Sequence, residues 1–362
     1  MRTIKPRSDS NNCGPGELAC GDFALAQLSD GSFIVGSAPF KHSREPAQEG
    51  VSFYVNDFAL SEAKPWRIPA VWMSFNSIEE LSVKDCSPAE MNWKEPEFLQ
   101  FREIFESIQL KLLHGSLVKA VPVVSARSTL NENSNMAGSL VRSASSDVQS
   151  ASLCAFQEGG SGFVVLTPER LIKIDGMELE TMALAGTATS SNCDEFARDP
   201  KEQKEHLLVV DALKHALSAL GDVTESDREI MDLGGMIHFL SRFSVKLLDI
   251  PLIDEVINTL HPTPAVGVVP RGRGFAKQLC SLRAESEIPD AFGAPFGVKF
   301  GDCFESFVLI RGIFWNGNDA FLPSGCGLLR ESVLQREWDE LALKRDWVKE
   351  AFALVKQHDQ HG

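Results

Sequence analysis

Residues Phe307–Lys344 read FVLIRGIFWNGNDAFLPSGCGLLRESVLQREWDELALK. Phe307–Ile310 is a short apolar run that reads as a strand ending on Arg311. Ala320–Leu322 is a second apolar segment, which enters the glycine-rich turn Pro323-Ser324-Gly325-Cys326-Gly327. A helix is expected to open near Glu331. In it, Glu337, Glu340 and Lys344 fall at i, i+3 and i+7, which places three charges on one stripe. Strand, turn and helix in succession imply a mixed α and β fold. An arginine at a strand end, a glycine turn and helical carboxylates can form an anion-and-metal site; equally, Glu340 and Lys344 can be an ordinary i,i+4 surface pair.

Upstream, residues 22–75 are β-rich, with apolar segments FALAQL, GSFIVGSAPF, GVSFYVNDFAL and WRIPAVWMSF broken by Gly, Asn, Asp and Pro. Residues 1–15 read as loose and polar, and 76–95 as irregular. Glu95–Leu113 is expected to be a helix with Phe98, Phe101, Ile104, Phe105, Ile108 and Leu112 on one face. Lys119–Arg127 is a strand in which Pro122 implies an edge or a bulge. Residues 138–162, rich in Ser and Gly, read as a solvated loop; Phe163–Leu166 and Met177–Leu184 read as strands.

Asp199-Pro200-Lys201-Glu202 is a helix start, with Asp as N-cap and Pro at the first position. The helix runs to about Leu220 and aligns Glu205 with Val209, Ala212 and Ala216, so its carboxylate needs a salt bridge or a metal. Residues 228–247 are a strand or a short helix pair around His238. Ile253–Leu260 is a short helix stopped by His261-Pro262-Thr263-Pro264. Arg271–Gly274 is basic and glycine-rich but opens no clean strand–helix unit, which argues against a phosphate loop.

The chain has 362 residues, 43% hydrophobic, with 35 basic and 50 acidic residues and a net charge of −15. That balance argues against nucleic acid and anionic membranes as partners. No apolar run approaches the roughly 18 residues of a membrane span, and the N-terminal stretch lacks the apolar core of a secretory signal. Eight scattered cysteines without metal spacing suggest reduced thiols in a cytoplasmic protein, a Cys13–Cys20 disulfide being the alternative. The acidic surface and the lack of heptads make a monomer the expectation.

Several separated motifs coincide in order: Gly115…Lys119; Thr167-Pro168-Glu169-Arg170-Leu171; Leu184-Ala185-Gly186-Thr187; Asp199-x-Lys201-Glu202-x-x-Glu205-His206; His238 with Ser241 and Phe243; Leu260-His261-Pro-Thr-Pro-Ala-Val266; Phe307–Arg311; Ser324-Gly-Cys-Gly327; and Glu337-Trp-Asp-Glu340 with Lys344. From about Gly115 to Lys344 the chain thereby resembles the chorismate-utilising enzymes, and among them the isochorismate synthases of menaquinone or siderophore type. The resemblance implies an α+β fold like that of anthranilate synthase component I, with two large, mostly antiparallel sheets packed face to face and helices outside. Residues 1–95 would be a β-rich part of that fold and 96–362 its chorismate-binding region, together a single structural domain.

The resemblance also implies roles. Lys119 stands where the family has its general base and Glu169 where it has its acid. Glu205 and Glu340, with Glu337 near, match ligands of Mg2+. Arg311 matches the residue that grips the enolpyruvyl carboxylate, with Gly325 and Gly327 offering backbone N–H groups. Ala185, Gly186, Thr187, His261 and Lys344 complete the expected chorismate-binding set. Ala185 stands where enzymes that form aminodeoxychorismate carry a lysine nucleophile, which points to water as the nucleophile here. A second register, anchored on Ser125-Ala126-Arg127, would put Pro122 at the lysine position; the spacing from Gly115 favours Lys119. Val245 stands where the family has glycine. A salicylate synthase, which goes on to eliminate pyruvate, and a non-catalytic chorismate-binding homologue are the alternatives.

Overall fold

The computed structural model describes residues 17–18, 21–83, 91–130, 136–144, 150–271 and 273–354. Cys13, Cys20 and the N-terminal stretch 1–15 lie outside the described residues, so the expectations made for them have no counterpart below. The strands, in chain order, are β1 (Glu17–Leu18), β2 (Phe23–Gln27), β3 (Phe33–Ser43), β4 (Val51–Val55), β5 (Trp66–Phe75), β6 (Ser82–Val83), β7 (Lys119–Ala120), β8 (Val123–Thr129), β9 (Ser152–Glu158), β10 (Ser161–Thr167), β11 (Arg170–Asp175), β12 (Glu178–Thr189), β13 (Gly221–Glu225), β14 (Glu229–Asp232), β15 (Met236–Leu247), β16 (Val268–Val269), β17 (Pro295–Phe300), β18 (Cys303–Val308), β19 (Gly312–Asn316) and β20 (Asp319–Gly325). The α-helices are α1 (Phe98–Leu113), α2 (Met136–Ser143), α3 (Cys193–Phe196), α4 (Pro200–Leu217), α5 (Ile253–Leu260), α6 (Arg273–Glu285) and α7 (Leu334–Ala351).

Sixteen strands form one hydrogen-bonded path in the order β13-β15-β12-β11-β18-β17-β4-β5-β3-β2-β9-β10-β19-β20-β8, with β14 branching from β15. The pairs along it are antiparallel. The path folds over on itself. Phe163 of β10 and Phe296 of β17 are separated by five intervening strands, yet their rings meet edge-on at 5.2 Å. The two expected sheets are therefore the facing halves of one continuous ladder.

Alternation explains the layers, because successive strand residues point to opposite faces. In β2, Ala24 and Ala26 enter the core between the halves, with Phe53, Trp66, Phe296 and Phe304. Phe23 and Leu25 enter a second core on the outside, closed by Met136, Leu140 and Val141 of α2 and by Trp347 and Val348 of α7. Strands β9 and β10 are buried on both faces in the same way: Cys154 and Phe163 face the inner core, Leu153 and Val164 the outer one.

Most expected elements are present, with the following corrections. Among the described residues of 138–162 the expected solvated loop is replaced by most of α2 and by strand β9; residues 145–149 lie outside the described residues. Serine content misled there, because Ser139 and Ser152 sit inside regular elements rather than at turns. The Lys119–Arg127 strand is split at Pro122 into β7 and β8, as a residue without an N–H requires; β8 is an edge strand. Residues 228–247 resolve into a pair of strands, β14 and β15. Helix α7 opens at Leu334 rather than Glu331, and the strand expected over Phe307–Ile310 lies mostly upstream, ending at Val308.

Candidate active site

Both ends of the strand path contribute to one narrow cleft, which encloses about 50 Å3 in this structure. Its wall includes Glu169, Ala185, Gly186, Thr187, Glu205, His238, Arg311, Gly325, Gly327 and Lys344. Val121, Val123, Leu184, Ala265, Val266, Phe292 and Ile310 make the apolar part. The sequence motifs, dispersed over two hundred residues, thus converge on one place.

Glu169 sits in the short turn between β10 and β11. Its backbone oxygen accepts from Val308 N at 3.0 Å, which ties the turn to the end of β18. Its side chain is 2% exposed and accepts from Thr263 Oγ1 at 3.2 Å. Burial pushes the carboxyl up to about 7; the Thr263 hydroxyl and the Lys119 and Arg311 charges oppose that rise without cancelling it. At neutral pH this group can both hold and release a proton.

Arg311 precedes β19 with φ 59°, a left-handed backbone that side-chain-bearing residues avoid. Such conformations cost about 1–3 kcal/mol and persist where the surroundings impose them. Here the backbone is fixed by Leu166 N donating to Arg311 O at 3.0 Å. The guanidinium is buried; Nη2 donates to His238 Nε2 at 3.2 Å, and among the described residues Nε has no hydrogen-bond partner. Burial lowers its pKa to about 10, with Glu340 and Glu169 acting the other way, so it stays charged. His238 lies on β15 with Nδ1 2.6 Å from Gly186 O. Burial and the Arg311 charge hold its pKa at about 3. The imidazole is therefore neutral: Nδ1–H donates to Gly186 O and Nε2 accepts from Arg311. Gly186 has φ 77° and sits in the bulge of β12 between Ala185 and Ala188. A Cβ there would press on Phe239 at 3.2 Å and on Glu202 at 3.3 Å. The bulge aims Thr187 N at Glu202 Oε2, 3.0 Å away.

A nest of charge lies beside this wall, built by α4 and α7. Asp199 caps α4, accepting from Lys201 N at 2.8 Å, and Arg336 of α7 donates to its other oxygen at 2.7 Å. The cap fixes the register that buries Lys201, Glu202 and Glu205. Lys201 Nζ lies 3.1 Å from Glu202, 3.0 Å from Glu205 and 3.2 Å from Glu337. Lys119, fully buried, places its Nζ 3.1 Å from Glu205 Oε1. Lys344 donates to Glu340 at 2.5 Å and to Gly325 O at 2.8 Å. The Glu340–Lys344 pair is not a surface pair: the two side chains are 10% and 9% exposed. Burial penalises the charge of Glu205, but Lys119 and Lys201 outweigh it and hold the carboxyl at about 2. Glu202 and Glu337 are pushed by burial up to about 7, because Lys201 only partly offsets it and neighbouring carboxylates add to it. Gly327 leaves room for this packing: a Cβ there would meet the Glu205 carboxylate and lie 2.9 Å from Lys119 Cε, so the ends of both side chains would have to shift.

The donors are all oxygen, they carry more negative charge than their lysines neutralise comfortably, and among the described residues buried Glu337 Oε2 has no direct hydrogen-bond partner. That set suits a hard divalent cation. Among the described residues no three metal-binding side chains already form a cage; the Lys201 ammonium stands among these carboxylates instead.

Of the residues expected at the site, Lys119, Glu337 and Glu340 stand in the charged nest beside the cleft rather than on its wall, and His261 is brought to neither. Its Nε2 pairs with Phe58 O at 2.9 Å and its ring packs edge-on against Phe58 at 5.4 Å. Thr263, Ala265 and Val266 from the same segment reach the site instead. Pro122 lies in the break between β7 and β8, while Lys119 lies against Glu205 and Gly327, so the register through Lys119 is the one that delivers an amine. Val245 is a core residue facing Leu179 and Val223 across its ladders. Lys201, Glu202, His238 and Thr263 lay within the quoted motifs but had no role assigned. The i,i+4 spacing of Lys201 and Glu205 was a readable signal of pairing; Thr263 had none.

The chain belongs to the chorismate binding enzymes: the model of that family matches residues 47–352. It is 31% identical over 222 residues to the salicylate biosynthesis isochorismate synthase of Pseudomonas aeruginosa, a match covering 58% of this chain and 46% of that protein. It is 29% identical over 210 residues to isochorismate synthase MenF of Bacillus subtilis, covering 55% and 44%. The matched region thus spans about half the length of these curated relatives. Among solved structures, MenF, the menaquinone-specific isochorismate synthase of Escherichia coli, superposes with TM-score 0.76 at 19% identity, over 91% of this chain and 88% of that one. Anthranilate synthase component I of Streptococcus pneumoniae gives 0.66 at 14%, over 97% and 96%. These likenesses establish the α+β fold. Among the described residues no helix is long and apolar enough to cross a membrane.

Proposed function

We propose that the chain is an isochorismate synthase, an isomerase that adds water at C2 of chorismate and expels the C4 hydroxyl. The observation that carries this reading is Glu169, a buried carboxyl held near pH 7 in the same cleft as the Arg311 guanidinium and acted on by the charge of the buried Lys119 amine. Lys119, once deprotonated, takes a proton from the attacking water; Glu169 gives its proton to the departing hydroxyl. One water enters and one leaves, so atoms balance. Arg311, held by His238 and with Nε free of partners among the described residues, grips the enolpyruvyl carboxylate. The backbone N–H groups of Gly325 and Gly327 meet that same carboxylate, and the Thr187 hydroxyl orients the ring. Ala185 leaves room for water where a lysine side chain would not.

Mg2+ is the cofactor proposed, held by Glu205 and Glu340 with Glu337. When bound it supplies a divalent positive charge to the ring carboxylate. The roles of Lys119, Glu169 and these carboxylates are part of this proposal, as are chorismate as substrate and a cytoplasmic, monomeric enzyme.

The test is to incubate the purified protein with chorismate, with MgCl2 or with EDTA, and to separate the products by chromatography. The expected result is an Mg2+-dependent mixture of chorismate and isochorismate without pyruvate. Salicylate with pyruvate would make it a salicylate synthase, and binding without conversion a non-catalytic homologue.

A further inference from the structure

We propose that Lys201 is the resident cation of the carboxylate nest. Its ammonium occupies the nest in the metal-free protein, and a divalent cation must displace it from Glu205 and Glu337. The inference rests on the metal reading given above and concerns a residue to which that reading assigns no part.

An ammonium has three N–H donors. Lys201 has three carboxylates within reach, Glu202 at 3.1 Å, Glu205 at 3.0 Å and Glu337 at 3.2 Å. Its side chain is 8% exposed, so water contributes little to its solvation and the carboxylates must. The other two lysines cannot take its place. Lys119 approaches Glu205 Oε1, on the side where Gly327 packs, and Lys344 is held by Glu340 and Gly325 O. Lys201 alone among the three joins a carboxylate of α4 to Glu337 of α7.

The backbone cannot withdraw it. Pro200 at the first helical position and the Asp199 cap pin the first turn of α4, and Arg336 pins the cap to α7. Only side-chain rotation can clear the nest. A second feature points to a ligand there: among the described residues, buried Glu337 Oε2 has no direct hydrogen bond while Oε1 is on Lys201, although the Ser332 hydroxyl also acts on this carboxylate. The ammonium thus satisfies only part of the nest. Two consequences follow. The α4–α7 link survives without metal, because Lys201 supplies it. Metal affinity is correspondingly weakened, because a divalent cation and Lys201 compete for the same two carboxylates.

The experiment compares the full chain with Lys201→Met, without chorismate, by calorimetric titration with MgCl2 and by thermal unfolding in EDTA and in MgCl2. The expected result is that the variant binds Mg2+ about tenfold or more tightly than the parent. Its melting temperature should fall in EDTA and recover in MgCl2, while the parent's changes little. Equal Mg2+ affinity in parent and variant would overturn the role of Lys201 and leave the metal reading intact. No Mg2+ binding by either protein would overturn both. Should the variant fail to fold in both buffers, reductive methylation of the parent, read by peptide mass spectrometry, decides. Lys201 labelling should rise when MgCl2 is added and return to its starting level with EDTA; labelling that ignores Mg2+ overturns the proposal.

Discussion

Glu169 and Glu205 are both nearly closed to water, at 2% and 6% exposure, yet the same fold drives them in opposite directions. Burial acts on each to favour the neutral acid. At Glu169 the compensating groups are one hydroxyl and two charges that act on it without forming an ion pair, so burial wins and the carboxyl sits at about 7. At Glu205 one ammonium lies against each oxygen, at 3.1 and 3.0 Å, so the charges win and it sits at about 2. One carboxyl is set to carry a proton and its neighbour to refuse one. Side-chain pairing, not depth, separates a proton donor from a fixed anion.

The comparison can be broken or sharpened in four ways. Lys119→Ala removes the proposed base and one partner of Glu205; turnover of chorismate should fall by about 10³-fold or more, with chorismate binding retained in calorimetry. Full activity would return the base to another group. Glu169→Gln keeps shape and neutrality but has no acidic proton to give, and turnover should fall by about 10²–10⁴-fold without loss of thermal stability. Glu340→Gln should abolish the Mg2+-dependent part of chorismate binding, roughly a tenfold loss of affinity or more, while the protein still folds; unchanged kinetics would remove Glu340 from the site.

The pH profile gives the smallest effect and the sharpest sign. Glu169 must be protonated to donate, so kcat/KM for chorismate should fall as pH rises through about 7. The folded state raises this carboxyl from its usual 4.5, so it binds the proton more tightly than the unfolded chain and subtracts stability as pH rises from 4.5 through 7. The Thr263 hydroxyl lowers the pKa of Glu169, so Thr263→Val should move the alkaline limb to higher pH, with less than about a tenfold change in maximal rate. A limb that stays in place would show that a different group governs it.

Local signals in the chain were strong where one residue's chemistry suffices. The Asp199-Pro200 cap, the apolar faces of β2–β5 and α1, and the break at Pro122 all follow from backbone chemistry and period. Residues 138–162 failed because β9 is defined by pairing with β2 and β10, and α2 by packing Met136, Leu140 and Val141 into the outer core, partners that are distant or later in the chain. His261 failed for a related reason: its partner is the carbonyl of Phe58, 203 residues away.

The sequence by itself determined the kind of site, because the ordered motifs supply a lysine, an arginine, carboxylates and glycines in a set that chance does not assemble. Only the tertiary structure decided which carboxylate holds a proton, which lysine stands among the metal-binding candidates and that His261 stays behind the wall. Those outcomes depend on distances of a few ångströms between helices and strands far apart in the chain. Electrostatic energy inside a protein varies steeply over such distances, while residue order alone is silent about them.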